Sequence, residues 1–143
     1  MSVLFDLNAA HNVATTFVDV ALGESPLADG YALLSLIGGS GSITPTEAAA
    51  RLGLPVTTAS DRIRRLEERG LVERRPNPGD GRSSLLSLTP RGREAWESTF
   101  DAWADALRRL DAELDRPGSE IGEAIRELDR AMRTLLAADS PKS

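Results

Sequence analysis

Residues 68–90 read ERGLVERRPNPGDGRSSLLSLTP, and the fold turns on how this stretch is read. Leu71 to Arg75 and Ser84 to Leu88 are short, apolar enough to pair, and bounded by turn-forming residues, which predicts two antiparallel strands. The tip that joins them takes the seven residues Pro76 to Arg82, stiffened by Pro76 and Pro78 and bent at Gly79 and Gly81. A hairpin needs only about two to five residues to turn, so this tip is longer than turning requires. Two readings stand: a turn-rich linker of the kind any fold contains, or a projecting probe. In the second, Asp80 accepts hydrogen bonds from loop N–H groups or braces an arginine, and holds Arg82 out at the tip.

The chain upstream favours the probe. Thr57 to Arg69 predicts a helix with Ala59, Ile63 and Leu66 on one face, ended by Gly70 in a left-handed cap. Before it, Thr44-Pro45-Thr46-Glu47 has the hydroxyl-x-x-carboxylate pattern of a capping box, with proline in the first turn, and opens a short helix through Leu52. Gly53-Leu54-Pro55 joins the two in a helix-turn-helix pattern, whose second helix is positioned to lie in a major groove. Its exposed side carries Thr57, Thr58, Ser60, Asp61, Arg62, Arg64 and Arg65, short hydrogen-bonding groups beside guanidinium forks, the residue types that read base edges and phosphates. The competing reading is a solvated helix face laced by pairs such as Arg64 with Glu68. On the loop, Arg82 at the tip suits the negative potential of a minor groove.

Further out, Leu7, Ala10, Ala14, Phe17 and Ala21 predict a first helix from about Asp6 to Leu22. A second is expected from Ser25, an N-cap with Pro26 at the first helical position, through Leu27, Tyr31, Leu34 and Ile37 to the breaker Gly38-Gly39-Ser40-Gly41, read as a flexible turn. From Thr89, a cap followed by Pro90, apolar residues at Trp96, Phe100, Trp103, Leu107, Leu110 and Leu114 form a heptad seam. Pro117-Gly118 interrupts it, Ser119 is a cap for a new helix, and Ile121, Ile125, Leu128, Met132 and Leu135 repeat the spacing. Two such seams and the first helix offer more apolar surface than one small domain covers, which implies helix-mediated dimerisation. The segment from Ala137 to Ser143 is expected to fray.

Composition removes most catalytic templates. With no cysteine and one histidine, His11, among 143 residues, the chain cannot build a disulfide frame, a thiolate nucleophile or a Cys/His zinc site. Gly38-Gly39-Ser40-Gly41 lacks the following Lys-Ser/Thr of a phosphate-binding loop. No run approaches the roughly 20 apolar residues of a membrane span, and the first residues lack a basic segment followed by an apolar one, so a cytoplasmic protein is expected. The net charge of −5 hides an asymmetry: from Arg51 to Arg93 ten arginines face five acids, leaving that stretch at +5 and the remainder at −10. A local basic face on an acidic body suits a steered nucleic-acid contact.

From SITPTEAAARLGL through RIRRLEERGLVERRPNPGDGRSSLLSLTPRGRE, about fifty consecutive residues resemble the MarR-type winged helix-turn-helix transcription regulators of bacteria. The succession Glu68-Arg69-Gly70-Leu71-Val72, a proline-containing wing with Asp80-x-Arg82-Ser83, then Leu88-Thr89-Pro90-x-Gly92 carries the resemblance. It implies a mainly α fold, a three-helix core with a two-stranded wing, between terminal dimerisation helices over 1–24 and 93–143, with the DNA-binding module over 25–92. It further implies a homodimer reading a palindromic operator, with Thr57 to Arg69 in the major groove and the wing arginine, Arg82, in the minor groove; Arg74, Arg75, Asp80 and Ser83 are the further DNA-binding residues expected in the wing. Dimer contacts are expected at Leu7, Phe17, Trp103, Leu107, Leu110, Leu114, Ile125, Leu128 and Met132. Asp61 departs from the pattern, since relatives often carry a neutral or basic residue there; a cytosine contact or an arginine brace are its alternatives. Relatives often bind small aromatic acids or phenolic compounds, so His11, Phe17, Tyr31 and Trp96 are pocket candidates, each equally explicable as core.

No cofactor or metal is implied. The expected function is sequence-specific DNA binding, with repression and release by a small ligand. A different class remains open: a winged module that docks a protein partner with the same arginines. An enzyme is the weakest reading, because no nucleophile and base pair appears.

Overall fold

The computed structural model describes residues 2–23 and 30–139. In chain order the elements are α1 (Val3–Leu22), α2 (Tyr31–Ser40), α3 (Pro45–Leu52), α4 (Val56–Glu68), β1 (Val72–Pro76), β2 (Ser84–Leu88), α5 (Pro90–Glu97), α6 (Phe100–Ala112) and α7 (Gly118–Asp139). The chain divides into two compact units, Met1–Trp103 and Ala104–Ser143. The fold is mainly α, a winged helix-turn-helix.

The core of the first unit gathers Leu33, Leu34 and Ile37 of α2, Ile63 and Leu66 of α4, and Leu71, Val72, Leu86 and Leu88 of the hairpin. Each fully buried aliphatic side chain contributes about 1.5–3 kcal/mol relative to exposure. Ala59, Ile63 and Leu66 repeat at spacings of four and three, so burying them fixes which side of α4 faces outward. The strands pair antiparallel with Val72 opposite Leu88, Arg74 opposite Leu86 and Pro76 opposite Ser84. Ile43 adds a single bridge on the far side of β2, its N–H donating to the Leu86 carbonyl at 3.2 Å and its carbonyl accepting from Leu86 at 2.8 Å.

Both helices of the helix-turn-helix end the same way. After α3, Gly53 sits at φ 64°, its N–H donates to Ala50, and the Leu54 N–H donates to Ala49. After α4, Gly70 sits at φ 69°, its N–H donates to Glu67 and the Leu71 N–H to Leu66. These bonds satisfy carbonyls that a helix end leaves orphaned, and the positive φ admits glycine without strain. Thr44 caps α3 as expected, its hydroxyl accepting from the Glu47 N–H at 3.2 Å.

Several boundaries differ from expectation. Helix α1 begins at Val3 because Ser2 caps it, accepting from Leu4 at 3.3 Å. The expected cap at Ser25, with Pro26 and Leu27, lies outside the described residues. Gly38 and Gly39 do not break α2, which runs through Ser40. A Cβ on Gly38 would stand 2.6 Å from the Trp96 ring, so this glycine makes room for an indole inside a helix and is no flexible turn. The seven-residue loop is Asn77 to Ser83, since Pro76 closes β1, and Leu71 serves the cap of α4 before the strand begins.

The predicted continuous helix after Thr89 is divided at Ser98 and Thr99. There the Ser98 hydroxyl donates to Ala95 and the Thr99 hydroxyl to Trp96 at 2.6 Å, competing with the helical ladder. Helix α7 starts at Gly118, with the Pro117 carbonyl accepting its first bonds, so Ser119 lies inside the first turn and is not the cap. Ala137 to Asp139 remain helical.

The two adjacent glycines of α2 allow a matched test. Gly38→Ala is expected to lower unfolding free energy by ~1–3 kcal/mol through the clash with Trp96. Gly39→Ala meets open space and is expected to be neutral or to stabilise by up to ~1 kcal/mol. Urea denaturation of the two variants, compared at equal slope, measures both; equal effects contradict the packing role of Gly38.

Candidate nucleic-acid interface

The surface that the helix-turn-helix presents is the outward side of α4. Thr57, Ser60, Arg62, Arg64 and Arg65 are exposed, while Thr58 and Asp61 are half-buried. Pro55 precedes the helix and offers no side-chain cap, and Val56 beside it is 57% exposed, an apolar group at the leading end of a polar face. The sequence reading passed over Val56 because a valine at a helix start ordinarily signals core.

The arginines of this face are organised by acids. Asp61 Oδ1 lies 2.6 Å from Arg64 Nη2 and Asp61 Oδ2 lies 3.0 Å from Arg65 Nη2, while Arg64 Nη1 reaches Glu68 Oε1 at 2.6 Å. These are i,i+3 and i,i+4 pairs, which helix geometry brings together. Asp61 is therefore an arginine brace, and the Arg64 to Glu68 pair coexists with exposure of the same face. The hydrogen bond from Arg64 holds the Asp61 carboxyl below its ordinary value, and the Arg65 charge acts in the same direction. Arg64 is in turn raised by Asp61 first and Glu68 second.

In the wing, Arg74 Nε reaches Glu67 Oε1 at 2.8 Å, which ties β1 to the last turn of α4, and Arg75 pairs with Glu73 on its own strand. Both of these predicted DNA contacts thus have partners within the chain. Glu67 escaped the sequence reading because its pairing spans a turn and follows no helical spacing.

The loop itself is a closed hydrogen-bonded unit. Asp80 Oδ1 accepts from the Arg82 N–H at 3.0 Å, and the Asp80 N–H donates to the Asn77 carbonyl at 3.2 Å. Asn77 Oδ1 accepts from the Gly79 N–H at 3.0 Å, and Asn77 Nδ2 donates to Ser83 Oγ at 2.8 Å. Ser83 also donates to the Asp80 carbonyl, through its N–H at 3.1 Å and its hydroxyl at 3.4 Å. Asn77 is thus a second organiser beside Asp80. Its signal was present in the sequence, as an asparagine two residues before a glycine, where the side chain mimics a backbone turn. Among the described residues nothing pairs with the Arg82 guanidinium.

The pocket candidates separate. His11 and Tyr31 line one concavity of about 520 Å³, together with Asn12, Thr15, Asp19 and Arg62 of α4. Phe17 is not among its lining residues, and neither is Trp96, which packs on the core and donates from Nε1 to Ser35 Oγ at 3.2 Å. Of the residues expected at a dimer contact, Trp103 stacks obliquely on Tyr31 with ring centroids 5.3 Å apart. Leu7, Phe17, Leu114, Leu128 and Met132 are half-buried, and Leu107, Leu110 and Ile125 are exposed.

A model of the MarR family matches residues 29–83, the segment that holds α2, the helix-turn-helix and the wing as far as Ser83. Over that segment the chain is similar to the MarR family. An HTH-type transcriptional regulator of Bacillus subtilis, YdgJ, is 27% identical over 97 residues, a match that covers 68% of this chain and 58% of that protein. The M. tuberculosis regulator MosR, solved in complex with DNA, shares the fold with a TM-score of 0.82 at 23% identity, over 94% of this chain and 98% of its own. A mutant MarR of E. coli, complexed with operator DNA, is 25% identical with a TM-score of 0.69, over 87% of this chain and 94% of its own. YdgJ and MosR are transcriptional regulators by name. No helix among the described residues is long and apolar enough to cross a membrane.

Because the Asp61 value is depressed below the ordinary 3.8, its pairing with Arg64 and Arg65 contributes in full above 3.8 and is lost as pH falls through the lowered value. A carboxyl-resonance NMR titration is expected to place the Asp61 midpoint below 3.8. A midpoint at or above that value contradicts the brace.

Proposed function

We propose that the chain is a sequence-specific DNA-binding transcriptional regulator, a repressor that binds a palindromic operator as a homodimer and is released by a small aromatic or phenolic ligand. The observation that carries this reading is the wing tip. Asp80 and Asn77 fix the loop backbone on both sides of Arg82, whose guanidinium has no partner among the described residues. A preorganised cation at a projecting tip loses little conformational freedom on entering a minor groove, where the negative potential is strongest. Helix α4 then lies in the adjacent major groove, with Thr57, Thr58, Ser60, Arg62, Arg64 and Arg65 toward base edges and phosphates. The E. coli relative solved with operator DNA supports DNA as the partner.

Dimerisation is assigned to the helices flanking the winged module, over 1–24 and 93–143. Phe5 (58% exposed), Val13 (69%), Ile125 (51%) and Leu135 (66%) are apolar side chains that a second copy would cover. With two-fold symmetry, half-sites fall about 10–10.5 base pairs apart, centre to centre. The concavity beside His11 and Tyr31 suits a ring bearing an anionic or hydroxyl group, and Arg62 on its wall belongs to α4, so an occupant there competes with DNA for the same helix. Such a protein works in the cytoplasm.

Selection of duplexes from a randomised pool, followed by binding assays with Arg82→Ala, tests the reading. The variant is expected to lose ~1–3 kcal/mol of binding per protomer without a change in oligomeric state. Equal binding by the natural protein and the variant, or no duplex retained at all, contradicts it.

A further inference from the structure

The acids on α4 bear on how the proposed DNA contact discriminates, and the inference rests on that reading. Asp61, Arg64, Arg65 and Glu68 form one connected cluster in which two carboxylates face two guanidinium groups, so its net charge is zero. Arg64 is held from both directions along the helix, through Nη2 to Asp61 and through Nη1 to Glu68. Asp61 spends one oxygen on each of two arginines. All of these side chains remain accessible, with Asp61 44% and Arg64 57% exposed. A neutral cluster gains little from the uniform negative charge of any phosphate backbone, whereas base edges in a major groove offer directed acceptors such as guanine O6 and N7, and a cytosine amino group donates to a carboxylate.

We propose that Asp61 is a specificity-determining residue, which positions Arg64 and Arg65 and cancels their charge toward non-cognate phosphates, so that α4 adds affinity only where base edges match. Arg82 and Arg62, which stand outside this cluster, then supply the sequence-independent attraction. Removing the Asp61 charge leaves the cluster at +1, with Arg65 unbraced and Arg64 held by Glu68 alone, which favours every duplex and weakens the preference for the right one.

The test uses the full-length protein with two probes, a duplex selected from a randomised pool by the natural protein and a random-sequence duplex of equal length. Asp61→Asn is expected to bind the random duplex more tightly, to steepen its dependence of log K on log salt by about 0.9 per protomer, and to reduce the ratio of selected to random affinity about tenfold. Asp61→Glu, which retains a carboxylate within reach of the same arginines, is expected to keep most of the ratio. A merely structural role predicts parallel losses on both probes with no change of salt slope, and that result overturns the proposal. A natural protein that binds the selected duplex while Asp61→Asn leaves ratio and slope unchanged overturns the proposal alone. A natural protein that binds neither duplex overturns the DNA-binding reading with it.

Discussion

Thr89 closes the base of the wing, and the orientation of everything that projects from the module follows from it. Its hydroxyl donates to the Gly70 carbonyl at 2.6 Å, its N–H donates to Leu71 at 3.1 Å, and the same hydroxyl accepts from the Gly92 N–H at 2.9 Å. One side chain thus joins the end of α4, the exit of β2 and the first turn of α5. Gly92 is part of the constraint, because a Cβ there would collide with the Leu71 carbonyl. With both ends of the hairpin held at the C-terminal cap of α4, the wing cannot change its angle to that helix without breaking the clasp.

On this frame the basic residues take different tasks. Arg74 bonds Glu67 and so braces the wing against the helix, while Arg64 and Arg65 are positioned by Asp61. Exposed ion pairs of this kind contribute little stability individually, so their value lies in limiting the directions a long side chain explores. Arg82 is the complement: its backbone is fixed by Asp80 and its guanidinium is left for something outside the described residues. A run of arginines that looks uniform in the sequence is divided into groups that shape the surface and groups that extend from it.

Much of the fold was legible because local rules and burial agreed. Thr44, Gly53, Gly70 and the spacing of Ala59, Ile63 and Leu66 each state a boundary or a face through backbone geometry alone, and the two strands follow from their turn-rich connector. Where the reading failed, either a distant partner or a nearby side-chain hydrogen bond overruled the pattern. Gly38 looks like a breaker until Trp96, far along the chain, lies against it. The heptad seam after Thr89 has the right period, yet hydroxyls at Ser98 and Thr99 take the carbonyls that would carry the helix on. At the interface the exposed face of α4 and the Asp80 to Arg82 relation could be read from residue types, whereas the Glu67 to Arg74 tie depends on how a strand folds back beside its helix.

The central claim is that α4 and the wing read DNA as one rigid surface, α4 in a major groove and Arg82 in the neighbouring minor groove. Hydroxyl-radical footprinting on a selected duplex, comparing the natural protein with Arg82→Ala, addresses this most directly. The expected result is central protection by both proteins, with loss of the flanking minor-groove protection in the variant alone. Identical footprints, or flanking protection that survives without Arg82, contradict the claim.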